Sequence, residues 1–271
     1  MTFEVSSLSL GYHTQAVLGG VDLRLQRGTV IGMLGANGAG KSSLLSVLAG
    51  DMKPQMGQVL LDGQPLYKYG PAVLAQKRAV LPQQLGHTFN MTVGQLIELG
   101  FFAFPDLSHA TANEMSLQAL NQVAIDPAWS SKPLMHLSGG QLQRVHIART
   151  LAQCYASIHE QGQGWLLLDE PLANLDPLHQ QQLLAICQNM VKTLNVGVLL
   201  VLHDLNIAAQ WCDRLVLLGD GQVLSEGATA TVLSEPNLAL AYGVPFHIVN
   251  IQIEGKPRTL VVPNGEHPVC K

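Results

Sequence analysis

The feature that most restricts the fold is a glycine-rich segment with the sequence Gly35-Ala36-Asn37-Gly38-Ala39-Gly40-Lys41-Ser42-Ser43. It follows an apolar run at residues 30–34, which predicts a buried strand, and it leads into residues 41–49, whose apolar side chains recur at helical spacing before Gly50. Glycines let the backbone turn tightly and point successive N–H groups at phosphate oxygens, and the helix N-terminus adds partial positive charge. The order strand, loop, helix therefore predicts an α/β fold with a phosphate-binding loop.

The loop matches the template Gly-x-x-x-x-Gly-Lys-Ser/Thr at every fixed position. Lys41 is predicted to reach the β- and γ-phosphates of a nucleotide, and the Ser42 hydroxyl to ligate Mg²⁺. The alternative, a glycine-rich turn with a chance lysine, is disfavoured by the strand before it and the helix after it. The nucleotide-binding residues predicted here are Gly35, Asn37, Gly38, Ala39, Gly40, Lys41, Ser42 and Ser43.

Two adjacent acids, Asp169 and Glu170, end a second apolar run at residues 165–168. An acid at the carboxyl end of such a strand faces the crevice in which α/β sheets bind ligands. Asp169 is predicted to bind Mg²⁺, directly or through water, and Glu170 to polarise an attacking water. A surface turn before Pro171 is the alternative, and the phosphate loop elsewhere in the chain favours the catalytic interpretation.

A third motif, Ser138-Gly139-Gly140-Gln141, precedes a helical pattern. Ser138 suits an ordinary helix N-cap. A serine hydroxyl and glycine N–H groups at a helix N-terminus also form an anion site. The chain then has two phosphate-receptive helix starts, and a dimer could use both if the serine motif of one copy covered the phosphate loop of the other.

Taken in order, these motifs resemble those of the ATP-binding subunits of ABC transporters, over residues 3–240. The resemblance implies ATP as the nucleotide, a stacking contact of Tyr12 with adenine, and a contact of Gln83 with Mg²⁺. It also implies that Asn174-Leu175-Asp176 is the D-loop and that His203 contacts the γ-phosphate. Ser43, where Thr is common, is a conservative departure, whereas Leu172-Ala173-Asn174 leaves the details of the D-loop open.

The resemblance implies a P-loop NTPase core, with a mainly parallel sheet, helices and an N-terminal antiparallel β part, and an inserted helical subdomain. The ATP-binding domain is expected over residues 1–245, with its core at about 1–85 and 160–245 and the helical subdomain at about 86–159. Residues 246–271 are expected to form a C-terminal β-hairpin extension, since residues 246–262 read as two strands around Glu254-Gly255-Lys256-Pro257.

Several segments resemble one branch, the importers of haem, iron–siderophores and vitamin B12. These are the sequence after His203, the segment 236–243, and the stretches at 78–83, 156–164 and 176–181, the last three being most similar to hemin-importer ATPases. The resemblance implies a homodimer of ATPase subunits, two transmembrane permease subunits and, through them, a periplasmic or surface substrate-binding protein. The location implied is the cytoplasmic face of the cell membrane, with siderophore or vitamin B12 import as the alternative role.

Composition weighs against other classes of protein. There are 15 Lys and Arg against 19 Asp and Glu, a net charge of −4, and no basic run of the kind that nucleic-acid binding requires. No apolar run approaches the ~20 residues that a membrane span needs. DNA-repair and translation ATPases of the same superfamily are the alternative of another class, but the sequence has neither a long coiled coil within the cassette nor a second cassette.

Overall fold

The structure is a computed structural model that describes residues 2–12, 15–84 and 90–264, without the side chains of Tyr12, Gln15 and Lys256. The chain forms two compact units, the first made of Met1–Leu66 with Val201–Lys271 and the second of Tyr67–Leu200. The strands and helices of the first unit are β1 (Thr2–Tyr12), β2 (Gln15–Gln26), β3 (Val30–Gly35), α1 (Lys41–Ala49), β4 (Met56–Leu61), β5 (Gln64–Pro65), α7 (Leu205–Trp211), β9 (Arg214–Gly219), β10 (Gln222–Ala228), α8 (Thr229–Val232), α9 (Glu235–Tyr242), β11 (Phe246–Ile253) and β12 (Lys256–Pro263).

The second unit contains the long helices. Its elements are α2 (Pro71–Ala75), β6 (Arg78–Leu81), α3 (Val93–Glu98), α4 (His109–Gln122), α5 (Gly139–Gln161), β7 (Gly164–Asp169), α6 (Pro177–Thr193) and β8 (Val196–Val201). Short 3₁₀ helices lie at Leu66–Lys68, Leu99–Phe101, Pro127–Ser131 and Leu134–His136.

The first unit holds two kinds of sheet. An antiparallel sheet has the strand order β2-β1-β4-β5, while β3 pairs in parallel with β9, and β9 in antiparallel with β10. Every residue of β3 is buried, as expected of a strand that helices cover on both faces. The phosphate loop therefore starts from the carboxyl end of a fully buried strand.

The helix after this loop confirms the sequence prediction. It runs over Lys41–Ala49 and ends at Gly50, whose φ of 81° is left-handed. The Gly50 N–H donates to the carbonyls of Ser46 and Val47, which otherwise lack partners at the end of the helix. Leu44, Leu45 and Leu48 are buried, so α1 is fixed against the core below the loop.

In the second unit β7 lies between β8 and β6, and its pairing with β6 is parallel. Both β7 and β8 are buried along their whole length. The longest helix, α5, packs against α4, α3, β6 and β7. The described residues from 90 to 159 are helical or connecting, whereas residues 85–89 lie outside the described part of the chain.

The tail forms an antiparallel pair, in which β11 and β12 run in register from Phe246 opposite Pro263 to Ile253 opposite Lys256. The turn is made by Glu254 and Gly255, with φ values of 51° and 73°. This two-residue turn with positive φ matches the right-handed twist of the strands. Lys256 and Pro257 belong to β12, so the turn is shorter than the four residues that the sequence suggests.

Candidate functional site

The phosphate loop has the backbone conformations that require glycine. Gly35, Gly38 and Gly40 have φ values of 147°, 81° and 95°. A Cβ on Gly35 would lie 2.4 Å from the Leu218 carbonyl oxygen, and one on Gly40 would lie 2.6 Å from Leu18 Cδ2. Both positions therefore exclude a side chain for conformational and steric reasons.

Lys41 lies inside the loop, with only 5% of its surface exposed. Its Nζ donates to the carbonyl oxygens of Gly35 at 2.8 Å and of Ala36 at 2.9 Å. A buried ammonium requires such acceptors, because an uncompensated charge in the interior costs several kcal/mol. The lysine thus carries a positive charge to the concave side of the loop.

The start of α1 is open to an anion. Gly40 occupies the N-cap and supplies no side chain to accept from the first N–H groups of the helix. Ser42 and Ser43 are half-buried in the first turn, and Asn37 and Gly38 are exposed at the tip of the loop. Backbone donors, the helix dipole and the Lys41 charge therefore converge on one surface, which fits a phosphate group.

His203 belongs to the same unit. The N–H of Leu202 donates to the carbonyl oxygen of Met33 in β3 at 3.1 Å, so the residue before His203 runs beside the strand that enters the phosphate loop. His203 itself is exposed. The next residue, Asp204, caps α7 by accepting from the N–H groups of Asn206 and Ile207, which fixes the backbone on the other side of the histidine.

The two acids lie in the second unit, at the end of β7. Asp169 is the last residue of the strand and only 4% exposed, whereas Glu170 is half-buried. Glu170 has a φ of 48°, and a residue with a Cβ in this region carries a strain of roughly 1–2 kcal/mol. Such strain persists where the surrounding structure fixes the residue, and it is concentrated at functional sites.

Ser138 caps α5 in a reciprocal capping box. The Gln141 N–H donates to Ser138 Oγ at 3.3 Å, and the Ser138 N–H donates to Gln141 Oε1 at 3.0 Å. Ser138 and Gly139 are exposed, and Gly140 is half-buried. A Cβ on Gly140 would lie 2.8 Å from the Asn174 carbonyl oxygen, so the serine motif packs closely against the predicted D-loop of its own chain.

Asp176 of that loop is the N-cap of α6. Its carboxylate accepts from the His179 N–H at 3.0 Å and contacts His179 Nδ1 at 2.8 Å. The hydrogen bonds from the His179 backbone and ring hold the pKa of Asp176 below its ordinary value. Asp176 therefore has a local role in starting α6, whatever it contacts in a second copy.

The other two residues predicted from the resemblance are only partly described. Gln83 is exposed, two residues after β6. The side chain of Tyr12 lies outside the part of the chain that the structure describes. The phosphate loop and His203 share the first unit, and Gln83, Ser138–Gln141, Asp169, Glu170 and Asp176 share the second.

Comparison with known proteins identifies the family. The family model described as ABC transporter matches residues 18–173, which span the phosphate loop, the serine motif and both acids. The chain belongs to the ABC transporter family. A relative from Bordetella parapertussis, called "Hemin import ATP-binding protein HmuV", is 42% identical over 92% of this chain and 95% of its own.

A second relative with that name, from Myxococcus xanthus, is 36% identical over 99% of both chains, so the match includes the C-terminal hairpin. A solved ATP-binding subunit of an ABC transporter is 27% identical over 89% of this chain and 95% of its own, with a TM-score of 0.76. The P-loop NTPase fold predicted from the sequence is thereby confirmed. Among the described residues of this ABC transporter chain, no helix combines the length and apolarity needed to cross a bilayer.

Two residues that support the motifs of this ABC transporter chain are not among those that its sequence predicts. Gln143 is 7% exposed, and its Nε2 donates to the Pro171 carbonyl oxygen at 3.4 Å, which links α5 to the turn after Glu170. Tyr242 Oη accepts from the N–H of Gly35 at 3.1 Å. A polar residue at a buried position of α5 could have signalled Gln143, whereas Tyr242 lies 207 residues from its partner and gives no local signal.

Proposed function

We propose that this chain is the ATP-hydrolysing, energy-coupling subunit of a membrane importer for hemin. The observation that carries the proposal is the phosphate loop, with a buried Lys41 and an uncapped α1, in a chain 42% identical to a hemin import ATP-binding protein. Import of iron–siderophores or vitamin B12 is the alternative, because no described residue needs to contact the cargo when other subunits carry it.

ATP binding is assigned to the loop. Lys41 exchanges its two carbonyl acceptors for β- and γ-phosphate oxygens, and the N–H groups of residues 37–43 surround the phosphates. Tyr12 stacks on the adenine. The N-terminus of α1 adds favourable electrostatic energy for a phosphate, because the first N–H groups of a helix point toward the ligand.

Mg²⁺ is proposed as the cofactor. The Ser42 hydroxyl and the Asp169 carboxylate are hard oxygen donors, the class that Mg²⁺ prefers, and the Gln83 side-chain oxygen is a third. The buried position of Asp169 at a strand end keeps its carboxylate in one orientation. When bound, Mg²⁺ neutralises charge on the phosphate oxygens.

Hydrolysis is assigned to Glu170 and His203. Glu170 orients and polarises the attacking water, and its left-handed backbone fixes the direction in which the carboxylate leaves β7. His203 contacts the γ-phosphate from the first unit. Preorganised groups of this kind require little rearrangement during the reaction, which is why they lower the barrier.

A second copy completes each site. Ser138, Gly139, Gly140 and Gln141 of one subunit face the γ-phosphate held by the other, with Asp176 of the D-loop beside them. The exposed α5 N-terminus supplies the backbone donors. ATP thus holds the homodimer closed, and loss of the γ-phosphate contacts after hydrolysis lets it open.

The permease is proposed to dock on the helical part of the second unit. An open groove of about 580 Å³ lies between α3 and α4, and its lining includes Glu98, Phe101, Phe102, Pro105, His109 and Asn113. Phe102 is 90% exposed, so the groove offers an aromatic contact to a protein partner. We assign this groove to the proposed helical subdomain at 86–159, which Gln83 precedes.

We place the subunit at the cytoplasmic face of the cell membrane, held there by two permease subunits that receive hemin from a periplasmic or surface binding protein. The test is ATPase activity of the subunit purified with its permease in lipid nanodiscs. Hemin-loaded binding protein is expected to stimulate ATP turnover, whereas cobalamin- or siderophore-loaded proteins are not. Stimulation by cobalamin or a siderophore alone would contradict hemin as the cargo.

A further inference from the structure

The C-terminal hairpin, residues 246–263, is connected to the phosphate loop through Tyr242. The N–H of Gly35, the first residue of the loop, donates to Tyr242 Oη at 3.1 Å. Tyr242 is the last residue of α9, and Gly243 ends that helix with a φ of 72°. A side chain from the C-terminal part of the chain therefore fixes the first peptide of the loop.

Gly35 is constrained from three directions. Its N–H is held by Tyr242, its carbonyl oxygen accepts from Lys41 Nζ at 2.8 Å, and its Cα hydrogens face the Leu218 carbonyl with no room for a Cβ. The Lys41 contact is the one that ATP is proposed to take over. Tyr242 would then hold the peptide at Gly35 in place while Lys41 turns toward phosphate.

Tyr242 is in turn held by the hairpin. Its ring packs edge-on against Phe246, with centroids 5.6 Å apart and an interplanar angle of 67°. Phe246 is the first residue of β11 and only 8% exposed. Glu235, at the other end of α9, accepts from the Ile248 N–H at 3.2 Å, so both ends of the helix are tied to the first strand of the hairpin.

The second strand of the hairpin is attached near His203. Asn206 makes a two-way contact with Val261 of β12, since its Nδ2 donates to the Val261 carbonyl at 3.2 Å and its Oδ1 accepts from the Val261 N–H at 2.8 Å. Val261 is 4% exposed. Asn206 lies in the first turn of α7, three residues after His203. The hairpin therefore contacts α7 close to His203, and it is linked to the phosphate loop through Tyr242.

From these contacts we infer that Tyr242 is a positioning residue for the phosphate loop and that the C-terminal hairpin holds it there. The hairpin is then a structural support for ATP binding, in addition to completing the fold. This inference rests on the proposed function, because it takes the phosphate loop as the ATP site. Tyr242 is inferred to affect ATP affinity by positioning that loop and not by contacting ATP.

The test compares four variants of the full chain, of which the fourth, Phe246→Ala, probes the hairpin. Tyr242→Phe removes the acceptor oxygen and keeps the ring that packs on Phe246. Tyr155→Phe is the matched control, since the Oη of Tyr155 in α5 also makes one hydrogen bond, which it donates to Gln122 Oε1 at 2.6 Å. Lys41→Ala is the reference for the proposed ATP site.

Tyr242→Phe is expected to raise the KM for ATP about three- to ten-fold, with kcat changed less than about two-fold, because one net hydrogen bond positions the binding loop. Hydrogen exchange at the Gly35 amide should accelerate in the same variant. Tyr155→Phe should change neither quantity. A general loss of folding would instead lower kcat through the active fraction and leave the KM unchanged.

Phe246→Ala tests the hairpin, and it should raise the KM in the same direction as Tyr242→Phe and accelerate exchange at Gly35. If Lys41→Ala abolishes ATP binding but Tyr242→Phe leaves both the KM for ATP and the hydrogen exchange at Gly35 unchanged, the inference is overturned. Unchanged ATP binding in Lys41→Ala would instead overturn the proposed function. If the KM for ATP changes in Tyr242→Phe but not in Phe246→Ala, the positioning role belongs to Tyr242 alone and the supporting role of the hairpin is contradicted.

Discussion

At the scale of single residues, Glu170 combines an unfavourable backbone with an assigned chemical task. Its φ of 48° is a conformation that glycine would adopt with little strain. The next turn is closed by the Ala173 N–H, which donates to the Glu170 carbonyl at 3.2 Å. The carboxylate is therefore directed by the backbone at this position, and a change in its charge alone should leave that direction intact.

We expect Glu170→Gln to bind ATP with near-normal affinity and to hydrolyse it roughly 10²–10³-fold more slowly, because the loss of one transition-state group has an effect of that size. ATP should also hold the variant as a stable dimer. ATPase assays, ATP binding and size-exclusion chromatography measure these effects. Glu160→Gln, an exposed change near the end of α5, is the control. Near-normal turnover by Glu170→Gln would remove this residue from the role of base.

The residues of the phosphate loop could be predicted because their chemistry is local in sequence. Glycine, lysine and serine at fixed spacing encode the turn, the charge and the hydroxyl together, and the fold of residues 35–43 follows from them. Tyr242 and Gln143 could not be predicted in this way. Their partners, Gly35 and Pro171, lie far away in the chain, and only tertiary packing brings the atoms within hydrogen-bond distance.

His146 makes the stability of the chain depend on pH. It is 4% exposed in α5, and its Nε2 has no hydrogen-bond partner among the described residues. Burial, with a smaller contribution from the charge of Arg149, lowers the pKa of His146 from 6.5 to about 4. Between these values the unfolded chain binds a proton that the folded chain does not, so stability falls as the pH falls from 6.5 toward 4.

We therefore expect wild type to lose roughly 1–2 kcal/mol more free energy of unfolding between pH 6.5 and 4.5 than His146→Leu does. Urea denaturation at several pH values measures the difference. His159→Leu, near the end of the same helix, is the control, because His159 is exposed. Parallel pH profiles for wild type and His146→Leu would contradict a buried neutral histidine.

At the scale of secondary structure, the packing of β7 on β8 depends on one glycine. Gly197 lies under the ring of Trp165, a fully buried residue, and a Cβ at position 197 would come within 2.4 Å of Trp165 Cζ3. An indole ring between two buried strands has little freedom to move, because interiors are packed at crystal-like density.

Gly197→Ala should therefore lower the free energy of unfolding by about 1–3 kcal/mol, the usual range for overpacking a core. Gly19→Ala, where an added Cβ would meet nothing within 4 Å, should change it little. Chemical denaturation measures both variants. If adding Trp165→Leu to Gly197→Ala restores stability, the loss is due to the contact between the two side chains. A Gly197→Ala variant as stable as wild type would contradict the expected overpacking.

Elements with a continuous apolar run could be predicted, and the polar strands β4 and β10 could not. The buried strands β3 and β7 follow the apolar runs at residues 30–34 and 165–168 to within one residue at each end. The polar strand β10 has no fully buried residue, and β4 begins with three exposed ones, so neither shows a periodic pattern. Their place in the sheets comes from pairing with β9 and β1, which the local sequence does not encode.

For the molecule in its proposed assembly, the sequence and the structure say more about the nucleotide than about the transported cargo. The site for ATP is built from this chain, so its residues can be read directly. The cargo of an importer passes through other subunits, and similarity to hemin import proteins is what supports hemin here. The division into a core and a helical subdomain stays a prediction.

The assembly of two copies can be tested by mixing two defective variants. Ser138→Arg places a bulky charge on the surface that would face the partner's ATP, and Lys41→Ala removes the lysine of its own loop. If each site combines the loop of one copy with Ser138 of the other, a mixed dimer has one intact site. Random association at equal concentrations then gives about a quarter of the wild-type number of sites, since half of the dimers are mixed.

We expect Lys41→Ala alone to bind little ATP, Ser138→Arg alone to bind ATP at its intact loop but hydrolyse little of it, and the mixture to regain ATPase activity toward that fraction. Equilibrium binding and ATPase assays measure these outcomes. The control for the arginine itself is Ser108→Arg, because Ser108 is also an exposed helix N-cap and accepts from the Thr111 N–H at 3.1 Å. Ser108→Arg should lose about 1 kcal/mol of helix-capping energy, as Ser138→Arg does, and should keep its ATPase activity. A mixture no more active than its components would contradict a site shared between two subunits, since a site within one chain leaves every copy defective.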